Sequence, residues 1–151
     1  MTTVQFSTIA QSIANISLTA KSIRTMDASN IPVDGLMYCP YFAPRPRDFI
    51  TDIQFSREAF GTGGAEPMNL IYTMNWEYFH APIGQVLTFQ KYSELLDNLA
   101  YLIQQIANSD AVTGAVDMTI LNITSIAGIQ DPAGNTYHGV ELALRVTEFI
   151  K

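Results

Sequence analysis

Apolar and polar residues alternate most regularly between Thr136 and Ile150. Val140, Leu142, Leu144 and Val146 take one parity, and Glu141, Ala143, Arg145 and Thr147 take the other. Side chains of a strand point to opposite faces in turn, so this run predicts a long strand with one buried and one wetted face. Upstream, Ala115 to Ile129 is a second apolar run, and Asp131-Pro132-Ala133-Gly134-Asn135 lies between the two. Proline sets φ at a corner, and Gly and Asn tolerate positive φ, so this is a turn and the runs are expected to form a C-terminal hairpin over 115–150. Around Ile120-Leu121 the apolar parity slips, from Val116, Met118 and Ile120 to Leu121 and Ile123, which predicts a β-bulge.

At the other end, Phe6, Ile9, Ile13, Ile16, Ala20 and Ile23 recur in steps of three and four. That spacing paints one stripe along a helix, expected from about Thr3 to Met26 within an N-terminal segment 1–26. Thr2 with Gln5 fits a capping box, Met1 with Phe6 the accompanying staple, and Lys21 and Arg24 complement the dipole of the last turns. A second amphipathic helix is predicted over 92–107, with Leu95, Leu96, Leu99, Leu102, Ile103 and Ile106 on its apolar face.

Between the helices, residues 36–79 read as a short strand and a long hairpin. Four of the seven prolines fall between Ser29 and Asp48, so Leu36 to Phe42 is at best a short edge strand. Ala43-Pro44-Arg45-Pro46-Arg47 follows as an extended, basic loop; Arg45 and Arg47 are placed to meet a partner's carboxylate, although arginines on loops are ordinarily solvated. Phe49, Thr51, Ile53 and Phe55 alternate with Ile50, Asp52, Gln54 and Ser56, predicting a strand over Asp48 to Phe60. Met68, Leu70, Tyr72, Met74, Trp76 and Tyr78 define the next one, with Gly61-Thr62-Gly63-Gly64 at the tip between them. The element order predicts one α+β domain over 1–151. It would hold a mostly antiparallel sheet of about five strands, two amphipathic helices on one face and a long projecting hairpin.

Charged residues make up 15% of the 151 residues, against about 25% in ordinary globular domains, which is accounted for either by surface covered in an assembly or by an uncharged polar surface. The net charge of −6 argues against tight nucleic-acid binding, which needs Lys and Arg on the phosphates. Cys39 is the one cysteine, so no internal disulfide is expected and a buried thiol is. Neither a signal peptide nor an apolar run of about eighteen residues is apparent, so a cytoplasm-like compartment and no membrane partner are expected.

Catalytic chemistry is sparse. His80 and His138 share no metal-ligand spacing with other candidates. The glycines at 61–64 join strand to strand with no Lys-Ser/Thr after them, which does not fit a phosphate loop. Ser56 and Ser125 lack a nucleophile elbow, and Asp48 and Asp52 fall on a strand's solvent parity. Trp76, Tyr78 and Phe79 lack the interleaved basic residues of a base-stacking platform. No catalytic, metal or cofactor site is assigned, and no enzyme activity is expected.

In its order of elements the chain resembles the tail terminator proteins of long-tailed bacteriophages. The resemblance is carried by the amphipathic N-terminal helix, Gly35-Leu36-Met37-Tyr38-Cys39-Pro40, the long hairpin with Phe60-Gly61 at its turn, and the helix Tyr92 to Ala107. Its most telling part is Gly134 to Ile150, Gly-Asn-Thr-Tyr-His-Gly-Val-Glu-Leu-Ala-Leu-Arg-Val-Thr-Glu-Phe-Ile. It implies a virion structural protein, with no cofactor. Six copies would form a ring that caps the tail tube, contacts the tail tube protein and the head–tail connector, and lets DNA pass without binding it. Other neck and tail-completion proteins share this pattern and are the nearest alternative; a small cytoplasmic enzyme or ligand-binding domain with a site near His80 and Glu77 is the more distant one. Within such a ring, Asp48 to Phe79 is the expected contact segment. Phe60, Trp76, Tyr78 and Phe79 are its candidate interface residues, because large aromatics dominate interface energetics, and Arg45 and Arg47 of the preceding loop are candidates beside it.

Overall fold

The computed structural model describes residues 6–57, 68–83, 88–109 and 115–150. Its organising element is β4 (Met68–Pro82), whose alternation of Leu70, Tyr72, Met74, Trp76 and Tyr78 buries one whole face. Along one edge β4 pairs antiparallel with β6 (Thr136–Ile150), from Met68↔Ile150 to Pro82↔Tyr137. Its other edge is shared end to end by β3 (Ile50–Arg57) and β2 (Tyr41–Pro44). β5 (Ala115–Gln130) borders β6, and the two-residue β1 (Arg24–Thr25) runs parallel to β2. The result is a mixed α+β fold with one six-stranded sheet in which only the β1–β2 pairing is parallel.

The long hairpin predicted over 48–79 is, in its described residues, part of this sheet. β3 pairs with β4 as expected, but β4 is also paired with β6 throughout, so β3 forms a border rather than half of a free two-stranded arm. The tip containing Phe60 and Gly61-Thr62-Gly63-Gly64 lies outside the described residues. The C-terminal hairpin follows the sequence closely: Val140, Leu142, Leu144 and Val146 are all buried, and the pairing register shifts between Ile120 and Asn122, leaving Leu121 as the extra residue at the expected bulge.

The first helix is shorter than its stripe. α1 spans Phe6–Ala14, and a 3-10 turn (Thr19–Lys21) and β1 occupy the rest of the predicted helix. Asn15, Ser17, Thr19 and Ser22 follow α1, and such side chains and β-branched residues disfavour helix interiors. The last turn tightens, with Ile16 N donating to Ile13 O at 3.2 Å, and Ser22 takes a left-handed φ of 56°. Ile16, Leu18 and Ile23 are nonetheless buried, so the stripe reports burial beyond the helix itself. The proposed Thr2–Gln5 cap lies outside the described residues. α2 (Thr88–Ala107) starts four residues before Tyr92, and Leu96 stands half exposed off its predicted face.

Buried residues of α1 and α2 join Phe42, the even-numbered face of β4 and Val140, Leu142, Leu144 and Val146 in one core. Trp76 stacks on Phe42 with centroids 4.8 Å apart and meets Phe49 edge-on, and Phe6 meets Tyr72 edge-on. The opposite face carries a smaller cluster of Tyr41, Ala43, Phe79, Ile129 and Tyr137. The strand at the front of this region is Tyr41–Pro44 instead of Leu36 to Phe42. Residues 36–38 form a turn closed by Tyr38 N donating to Gly35 O. None of the helices described is long and apolar enough to cross a membrane.

Candidate functional site

β2 and β3 read as one strand interrupted opposite Asn75. Arg45 N donates to Asn75 O at 2.9 Å, and Asn75 N donates to Phe49 O at 2.7 Å. Pro46, Arg47 and Asp48 are thereby pushed out as a loop, and Pro44 and Pro46 supply no N–H that would be left unpaired there. Asn75 holds the loop's base, its Nδ2 donating to Asp48 O at 2.8 Å and to Thr51 Oγ1 at 3.1 Å.

The loop folds across the second face of the sheet and closes an ionic clasp. Arg45 grips Asp48 in bidentate fashion through Nε and Nη2, and its Nη1 donates to Glu141 Oε2 at 2.7 Å. Arg47 lies farther out, 3.6 Å from Glu141 and 4.0 Å from Asp48, with its side chain 73% exposed. Glu141 and Glu77 are direct partners across the β4–β6 ladder, an arrangement of like charges that costs free energy without a cation beside it. Arg45 is that cation.

Glu77 itself is 4% exposed, and among the described residues it takes no part in the ion pairs of this clasp. Burial and then Glu141 push its pKa up from 4.5 to about 7, against the opposing pull of Arg47 and Arg45. It lies in a cavity of about 350 Å³. Tyr41 and Phe79, stacked with centroids 4.5 Å apart, make the apolar floor with Ala43. Pro44, Arg45, Pro46 and Arg47 form one wall; Ile31, Pro32, Gln130, Asp131 and Pro132 form the other.

The second wall is pinned by Asp131. Its carboxylate accepts Gly35 N at 2.9 Å, Asn135 N and Asn135 Nδ2 at 2.9 Å each, and Tyr137 OH at 2.6 Å. Burial works against the charge, but the Tyr137, Asn135 and Gly35 donors outweigh it and hold the pKa below 3.8. Burial and then Asp131 push the half-buried Cys39 thiol up to about 12, which disfavours the thiolate.

The sequence-predicted residues are thus divided. Arg45 and Arg47 come together on one cavity wall. Trp76 and Tyr78 are fully buried and Phe79 is 4% exposed, so all three are packed inside the protomer. His80 and Glu77, paired above as a conceivable site, lie on opposite faces of the sheet. His80 Nδ1 meets Tyr78 OH at 2.7 Å beside Asn98, and His80 Nε2 lies 3.5 Å from Glu94 on α2. Among the described residues no group of three His, Cys, Asp or Glu side chains could hold a metal ion. Reading the residues in order missed the roles of Glu141, Asp48 and Asp131. Parity does place Glu77 and Glu141 on polar faces, but only the strand register makes them neighbours. Compared with known proteins, the sequence matches no protein-family model and no curated protein.

Proposed function

We propose that this chain is a phage tail terminator: a structural subunit whose copies close into a ring, cap the tail tube protein and join it to the head–tail connector. The observation carrying this reading is a pair of exposed apolar patches at opposite ends of β4. Ile53 and Phe55, 50% and 66% exposed, lie on β3, which pairs only with β4 among the described residues and leaves its outer edge open; Phe55 stands opposite Leu70. Val33, Leu36, Met37 and Tyr38 form the second patch, fastened to the 131–135 turn by Ala133 N donating to Val33 O at 2.9 Å.

A ring needs two different, complementary surfaces that meet head to tail. An open strand edge flanked by apolar side chains offers one, through backbone pairing and apolar burial. The low charge content is in keeping with surface that copies cover, and the net charge of −6 suits a ring that passes DNA without holding it. In this reading the interface candidates move from Trp76, Tyr78 and Phe79 to the β3 edge and the 33–38 loop. The protein acts in the virion, without a cofactor and without catalysis.

Electron microscopy of the purified protein mixed with tail tubes tests the proposal. Rings seated on tube ends are expected. Protein that stays dispersed while the ends remain bare would overturn it, and attachment to the connector without capping the tube would favour another neck component.

A further inference from the structure

We propose that the cavity over Glu77 is a receptor for a single positively charged nitrogen group on an apolar stem, an alkylammonium or alkylguanidinium. The starting point is a buried carboxyl that the surrounding cations do not reach. Every guanidinium nitrogen of Arg45 is engaged by Asp48 or Glu141, and Arg47 is drawn outward towards the same two acids. Burial disfavours the ionised carboxyl there, and a cation entering the cavity would restore the missing counter-charge.

The charged groups lining the cavity are Arg45, Arg47, Glu77 and Asp131, and the two arginines are paired with Asp48 and Glu141, which are not part of the lining. The cavity's volume of about 350 Å³ suits a small group. The stacked rings of Tyr41 and Phe79 and the prolines of the rim provide the apolar contact that a methylene stem requires. Ala43, directly opposite Glu77 on β2, keeps the approach to the carboxyl open. The same chemistry is offered by a free amine or by a Lys or Arg side chain of a second copy.

Calorimetric titration with butylammonium and butylguanidinium chloride at pH 8 and low salt tests the receptor, with butanol and butyrate as controls. Both cations are expected to bind and the controls are not. Glu77→Gln, close in shape but uncharged, is expected to weaken cation binding by about tenfold or more. Arg47→Ala, a surface change that removes a competing cation, is expected to tighten it. Sedimentation of the same samples separates the sources. Self-association weakened by Glu77→Gln and by either cation identifies the group as a side chain of a second copy. Self-association indifferent to both identifies a free amine. Absence of heat with either cation, equal binding by butanol, or equal binding by Glu77→Gln would overturn the inference.

Discussion

Glu77 shows how one residue's environment converts into a measurable property of the whole chain. Its carboxyl is raised by burial and Glu141 from 4.5 to about 7, while Arg47 and Arg45 moderate the rise. The folded state therefore keeps a proton that the unfolded chain has already released. Stability linked to this group falls as pH rises from about 4.5 to about 7 and is level above that. The loss is on the order of 3 kcal/mol at most. Urea unfolding at pH 5, 6 and 7.5 reads it directly: Glu77→Gln is expected to gain on wild type across that range. Parallel curves for the two proteins would show that Glu77 titrates as an ordinary exposed acid. Gly139 makes a different point at the same scale. It pairs with Phe79 where the β4–β6 register shifts, and a Cβ there would run into the backbone oxygen of Tyr78, so no other residue fits without moving the strand.

At the scale of elements, polar side chains decide how loops dock on strands whose own formation is local. The turn between β5 and β6 is chain-local, but its Asp131 also accepts Gly35 N from a loop 96 positions away. Asp131→Asn would place an amide among donors from Gly35, Asn135 and Tyr137. A loss of about 2–3 kcal/mol in unfolding free energy is expected, since buried donors would lose their acceptor. The native Asp131 contribution is present above its ordinary pKa of 3.8 and fades as pH falls through the lowered value. An Asp131→Asn protein as stable as wild type at pH 7 would show that the loop docks by other contacts. The Arg45 clasp works on the same principle: it lets β2 and β3 share one edge of β4 across a five-residue interruption.

At the scale of the whole molecule, the two exposed patches make a prediction that a single symmetric contact does not. If copies join head to tail, Phe55→Asp and Met37→Asp each spoil a different side of the same joint. Either variant alone is expected to associate about ten- to a hundredfold more weakly, the effect of losing one buried apolar side chain of this size. Mixed together, the two variants retain one intact joint and are expected to form heterodimers that cannot close into rings. Analytical ultracentrifugation distinguishes these species. Full rings from the mixture, or wild-type assembly by either variant alone, would remove these patches from the joint.

The sequence by itself determined the β-strands at the C-terminal end, the bulge at Leu121, the existence of two amphipathic helices and the α+β class. Alternation and helical spacing are properties of neighbouring residues, and burying an apolar stripe gives each element its own reason to form. It did not determine where the first helix stops, because the stripe through Ile16 and Ile23 records burial, and a tight turn followed by a short strand buries those residues as well as a helix would. Only the tertiary structure decided that Trp76, Tyr78 and Phe79 are inside the protomer, since an aromatic run on a strand reads the same whether its own helices or a neighbour cover it. The site was also beyond the sequence. Arg45 and Glu141 meet across 96 positions, and Glu77 faces Glu141 only through the register of two strands. That register is set by the pairing of whole ladders, a long-range property that no local pattern of residues contains.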